Sequence, residues 1–168
     1  MSIYGYCRIS TAKQSIDRQI RNIKAEYPTA HIVQEAYTGT SIFRPEWLKL
    51  YRVLKAGDAV VFDSVSRMSR NAEEGFALYE DLYHKGIRLV FLKEHHNDTE
   101  TYKKALSGSI AMTGTNVDFI LKGINEYLMA LAKEQIKLAF EQSEKEVADL
   151  HQRTREGLLT AHLTMPSA

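Results

Sequence analysis

The first half of the chain alternates short apolar runs with amphipathic stretches. Ile3 to Ile9 predicts a buried strand, and Gln14 to Tyr27 follows with Ile16, Ile20 and Ile23 at helical spacing before Pro28. His31 to Tyr37 predicts a second strand. Past Thr38-Gly39-Thr40-Ser41, Pro45 suits a first helical turn, and Trp47, Leu48, Tyr51 and Leu54 share one face as far as Ala56-Gly57. Asp58 to Asp63 is an apolar run of the kind covered on both sides of a sheet, and Ser64 to Asn71 is polar. Phe76, Leu78, Tyr79, Leu82 and Tyr83 predict a third helix closing at Lys85-Gly86, and Ile87 to Leu92 a fourth strand.

Strands alternating with helices of this length predict an α/β fold: a doubly wound, mostly parallel sheet of four to five strands with crossover helices, in which chemistry gathers outside the carboxyl ends of the strands. His95 to Gly114 carries few apolar residues and is expected to be a loop with room for a short helix. From Val117 to His162 there is no proline and apolar residues recur, which predicts one long helix or two in series. A helix of about 40 residues is about 60 Å long, more than the width of a sheet domain this size, so part of it must project. The expected division is an α/β body over residues 1–116 and a long helix over 117–168. Its stretch Glu141 to Glu156 is dense in charge with few apolar residues and is expected to pack on a partner.

Composition narrows the setting. The chain has 168 residues and a single cysteine, Cys7, inside an apolar run, which leaves no intrachain disulfide framework or multi-cysteine metal site and suits a buried thiol in a reducing compartment. There is no leader-like N-terminus and no apolar run of membrane-spanning length, so a cytoplasmic protein without membrane partners is expected. Lys and Arg number 22 against 21 Asp and Glu, so any contact with a polyanion must come from a local cluster.

Such a cluster is legible. Arg8 and Ser10 stand two apart at a strand end, on one face, placing a guanidinium beside a hydroxyl. A hydroxyl is a weak nucleophile unless something takes its proton or stabilises the charge it attacks, and arginine forks do the latter for phosphate. Ser66-Arg67-Met68-Ser69-Arg70 adds two arginines three apart just past the third strand, and Arg44 before Pro45 can reach the same rim. Gln14 and Gln19 on the first helix can orient the loop or a phosphate. Taken singly, each has a plainer reading: a helix cap at Ser10, a solvated turn at Arg67 and Arg70, and exposed glutamines.

Together these segments resemble a known family. Tyr6-Cys7-Arg8-Ile9-Ser10-Thr11-Ala12-Lys13-Gln14 with Asp17-Arg18-Gln19, then Arg44-Pro45, then Ser66 to Arg70, then Gln152-Arg153-Thr154-Arg155-Glu156-Gly157-Leu158 resemble, in order and spacing, the motifs of the resolvase/invertase serine recombinases, over residues 3 to about 161. The resemblance implies a catalytic domain that cleaves and rejoins DNA through a 5′-phosphoserine at Ser10, without metal or nucleotide cofactor. It implies that Arg8, Arg67 and Arg70 bind the scissile phosphate, with Arg44 assisting and Gln14 and Gln19 supporting. It implies a homodimer, a tetramer in the synaptic complex, and a long helix whose Ile136, Phe140 and Leu150 serve the dimer and whose Lys137, Lys145, Arg153 and Arg155 contact DNA at a crossover site. No helix-turn-helix or zinc-ribbon segment follows that helix, so the chain is expected to be a truncated piece of a longer recombinase of a mobile element.

The pattern is departed from twice. Many members carry Asp immediately before the first arginine of the second cluster; Ser66 stands there, with Asp63 as the substitute candidate for proton handling. Val147 follows Glu146 where small resolvases often have arginine. Two other readings compete: a structural dimer module that has lost its chemistry, and a receiver-like phosphorylation module with Asp63 ending the third strand. The second needs an acidic pair after the first strand to hold magnesium, where Arg8 sits. No Gly-rich loop ending in Lys-Ser or Lys-Thr is present for a P-loop phosphotransferase.

Overall fold

The computed structural model describes residues 1–8, 13–36, 44–69, 71–107 and 110–164, leaving out the side chains of 13–15, 146–154 and 158–164. Four strands form one parallel sheet: β1 (Ile3–Arg8), β2 (His31–Glu35), β3 (Ala59–Phe62) and β4 (Arg88–Phe91), in the order β2-β1-β3-β4. The helices are α1 (Lys13–Glu26), α2 (Pro45–Val53), α3 (Val65–Met68), α4 (Ala72–His84), α5 (Thr99–Ser107) and α6 (Asp118–Thr164).

Period-two alternation along the strands creates two cores. Tyr6, Val60, Phe62, Leu89 and Phe91 face Trp47 and Leu50 of α2, Tyr79 and Leu82 of α4, Tyr102 of α5 and Phe140 of α6. Cys7, Val61 and Val90 face Ile16 and Ile23 of α1. With α1 on one side and the other helices opposite, the sheet is doubly wound. From β1 the chain passes outward to β2, and from β3 it passes the other way to β4, so β1 and β3 flank the switch point.

Local chemistry accounts for the boundaries. Pro45 opens α2, whose early Trp47 N–H donates to Glu35 Oε2 across 3.0 Å. Asn71 caps α4 by accepting from Glu74 N–H, and Gly86, at φ +77°, ends it in the left-handed conformation that a side chain would disfavour. The polar stretch after β3 contains the short turn α3. In the weakly patterned stretch after β4, a 3-10 turn at His95–Asn97 leads into α5. It is held because Phe91 N–H donates to Asp98 Oδ1 at 2.7 Å and Leu89 N–H to Thr99 Oγ1 at 2.9 Å. These side chains extend the edge of β4 in place of a further strand, and the sheet has four strands among the described residues.

The long C-terminal segment is a single helix of 47 residues, about 70 Å long at roughly 1.5 Å per residue. Its inward row departs from expectation. Ala132, Ile136 and Phe140, spaced by four, are buried in this chain's own core against α4, with Ile136 at 4% and Phe140 at 1% exposure. They are therefore not the dimer surface. Gly75 of α4 makes room for Phe140: a Cβ there would lie 2.6 Å and 2.8 Å from two atoms of its ring. Leu150 lies outside the described side chains. The exposed apolar residues of the helix are instead Phe119, Ile120, Ile124, Tyr127, Met129, Leu131 and Leu138 among the described residues. Among the described residues no helix is long and apolar enough to cross a membrane.

Phe140→Ala tests this division. It should lower unfolding free energy by about 3–5 kcal/mol, the usual cost of emptying a buried aromatic site, equally at low and high protein concentration. A loss that appears only where the protein self-associates would return Phe140 to an intersubunit surface.

Candidate active site at the switch point

β1 ends at Arg8, two residues before Ser10, and β3 runs into Asp63 to Ser69 beside it. Two arginines exchange bonds across the gap. Arg8 Nη2 donates to the Ser66 carbonyl at 2.6 Å, and Arg67 Nη1 donates back to the Arg8 carbonyl at 3.2 Å. A third cation joins them: Arg44, just before α2, donates through Nη1 to the Met68 carbonyl at 2.9 Å. Alternate carbonyls of the 64–69 segment are thus held by guanidinium groups, bonds that charge makes stronger than neutral ones.

Arg8 and Arg44 are each 1% exposed, so neither is a solvated rim charge, and Arg67 is the partly exposed one of the three. Gln19 is likewise buried and serves the strand: its Oε1 accepts from Arg8 N–H at 3.1 Å and its Nε2 donates to the Arg8 carbonyl at 3.0 Å. It closes the end of β1 the way a neighbouring strand would, which makes it a support for Arg8 and accounts for its burial. Ser10, Arg70 and the side chains of Gln14 and Arg153 lie outside the described residues.

Asp63 and Ser66 both lie at this edge. Asp63 is 1% exposed and occupied: Asn22 Nδ2 donates to it at 2.9 Å and Lys93 Nζ lies 3.1 Å away. It ties α1 and the end of β4 to β3. The Ser66 hydroxyl pairs with that of Ser64 at 2.8 Å. Among the described residues no group of three or more His, Cys, Asp or Glu is arranged to hold a metal ion.

The structure adds residues that sequence patterning missed. Glu35, at the end of β2 and 3% exposed, accepts the Trp47 N–H that opens α2 and, at 3.5 Å, a bond from the Tyr6 hydroxyl. Burial pushes the Tyr6 phenol up to about 12, with Arg44 and Arg8 pulling it down and Glu35 pushing it up, so Tyr6 stays neutral. Burial also pushes the Cys7 thiol up to about 12, fitting an unreactive core thiol. A glutamate ending an edge strand looks like an ordinary solvated charge; only the fold turns it inward. On α6, Lys137, Lys145 and Arg155 are exposed.

Comparison with known proteins gives the family. Residues 3–146 match the family described as resolvase, N-terminal domain. The Tn21 transposon resolvase of Escherichia coli is 26% identical over 159 residues, covering 91% of this chain and 83% of that protein. A resolvase of Clostridium perfringens is 31% identical over 99 residues, covering 58% of this chain and 52% of its own length, so the chain spans about half of that relative. A crystal structure of a resolvase family site-specific recombinase from Streptococcus pneumoniae aligns over 96% of this chain and 98% of its own at 18% identity and TM-score 0.47. The family-model match over most of the chain is decisive: this protein belongs to the resolvase family of serine recombinases and carries that family's N-terminal catalytic domain.

Proposed function

We propose that this domain cleaves and rejoins DNA through Ser10. The Ser10 hydroxyl attacks a phosphodiester, its oxygen bonds to phosphorus, and the 3′-oxygen leaves as a free hydroxyl carrying a proton; a 5′-phosphoserine link remains. A 3′-hydroxyl from another strand then reverses the step. The ester is conserved throughout, so no energy source is consumed, and fixed cations supply the charge stabilisation. The observation that carries the proposal is the reciprocal pairing of Arg8 with Ser66 and Arg67 with Arg8, which draws the strand end before Ser10 and the arginine segment to one edge.

The roles divide by burial. Arg67, with Arg70, is assigned to the phosphate oxygens. Arg8 and Arg44, deeper, add positive potential from below and hold the segment, with Gln19 steadying Arg8. Residues 1–116 are assigned to the catalytic body, and 117–168, which include α6, to the part that joins a second copy and meets DNA through Lys137, Lys145 and Arg155, together with Arg153. The partners are a DNA crossover site and further copies of this chain, as dimer and synaptic tetramer, in the cytoplasm. Ile120, Ile124, Tyr127, Leu131 and Leu138 lie at the spacings of a coiled-coil seam and are exposed along α6, which supports self-association.

Incubation with a pool of nicked duplexes of randomised central sequence should yield a covalent protein–DNA adduct that Ser10→Ala abolishes. Arg67→Ala should slow its formation about 100-fold or more with the fold intact, the usual cost of removing one charge-stabilising donor. An adduct that survives Ser10→Ala, or none from the unaltered protein, would overturn the proposal in favour of the structural module.

Ile124→Asp with Leu131→Asp should shift sedimentation from dimer to monomer while leaving the circular dichroism spectrum unchanged. A wild-type protein that is monomeric throughout, or a double variant that stays dimeric, would refute this use of α6.

A further inference from the structure

The segment from Ser64 to Asn71 bears Arg67 and, by sequence, Arg70. Both of its ends are held by carboxylates from elsewhere in the chain. At the front, Val65 N–H donates to Glu94 Oε2 at 3.0 Å. At the back, Ala72 N–H donates to Glu144 Oε2 at 3.0 Å, a bond spanning 72 residues between α4 and α6.

The second bond does something the helix cannot do for itself. An α-helix leaves its first N–H groups without partners, and Asn71 satisfies only that of Glu74. Glu144 takes the N–H of the first helical residue and places a negative charge at the positive end of α4. Its position is set by packing: Ala132, Ile136 and Phe140 form a row spaced by four that continues to Glu144. Phe140 fills the notch at Gly75, where a Cβ would also come within 3.0 Å of Ser69 Cβ. Ser69 in turn is fully buried, its hydroxyl accepting from Asn71 N–H at 3.1 Å and donating to the Asn71 carbonyl at 2.9 Å.

We propose that Glu144 is a positioning residue for the arginine segment, making the seating of α6 on α4 a condition for correct placement of the phosphate-binding cations. The inference rests on the function proposed above. It assigns to α6 an effect on the chemistry of its own subunit, separate from contact with DNA or a second copy. A displacement of catalytic groups by about 1 Å can cost 100-fold in rate, so a modest shift at Ala72 suffices.

The test compares the whole chain with Glu144→Ala, which removes the acceptor, and Glu144→Gln, whose amide oxygen can still take the Ala72 N–H. At saturating nicked duplex, Glu144→Ala should form adduct about 10- to 100-fold more slowly. DNA affinity should change less than about twofold, and Glu144→Gln should recover most of the rate. With Arg67→Lys already present, Glu144→Ala should slow the reaction little further, because both act on one group. Hydrogen exchange should quicken in residues 64–72 of Glu144→Ala and stay unchanged in β1 and β3. A Glu144→Ala protein that cleaves at the wild-type rate, an additive double variant, or exchange that quickens evenly across the sheet would overturn the inference. If the wild-type protein forms no adduct, the function proposal fails, and the exchange comparison alone decides whether Glu144 holds the segment.

Discussion

The exchange of bonds between Arg8 and the 64–69 segment is the constraint on which the rest of the site depends. Parallel strands end without partners for their last backbone groups, and at a switch point the two adjacent chains diverge and leave a gap. Here Arg8 crosses that gap to the Ser66 carbonyl, Arg67 returns to the Arg8 carbonyl, and Gln19 satisfies both backbone groups of Arg8. Cations that would otherwise carry a desolvation cost become the fastening of the sheet's edge. The same fastening concentrates positive potential at the end of β1.

The long helix has two distinct apolar surfaces. The row at Ala132, Ile136 and Phe140 belongs to the subunit's own core and ends in the Glu144 bond to α4, whereas the exposed series from Ile120 to Leu138 lies elsewhere on the helix. One helix thereby touches the arginine segment on one side and carries an exposed apolar series on another.

Much of this was legible in the sequence. Apolar runs at Ile3, Asp58 and Ile87 and the helical spacing of Ile16, Ile20 and Ile23 correspond to β1, β3, β4 and α1, because strands covered on both sides and helices on one leave plain periodicities. The region after β4 was not legible: α5 is held by Asp98 and Thr99 side chains bonding strand backbone, and polar residues that act as partners look the same as polar residues that face water. Ile136 and Phe140 were misassigned for a related reason, since periodicity marks an apolar stripe and does not say which body covers it. Arg8 and Arg44 were visible as cations, but their burial, and the inward turn of Glu35, depend on contacts far along the chain.

The proposed covalent link to DNA through the Ser10 hydroxyl is tested most directly by mass spectrometry of the DNA-linked peptide after digestion of a trapped adduct. The expected product is a nucleotide joined through its 5′-phosphate to Ser10. A link to Ser64, Ser66 or Tyr6, or through a 3′-phosphate, would contradict it.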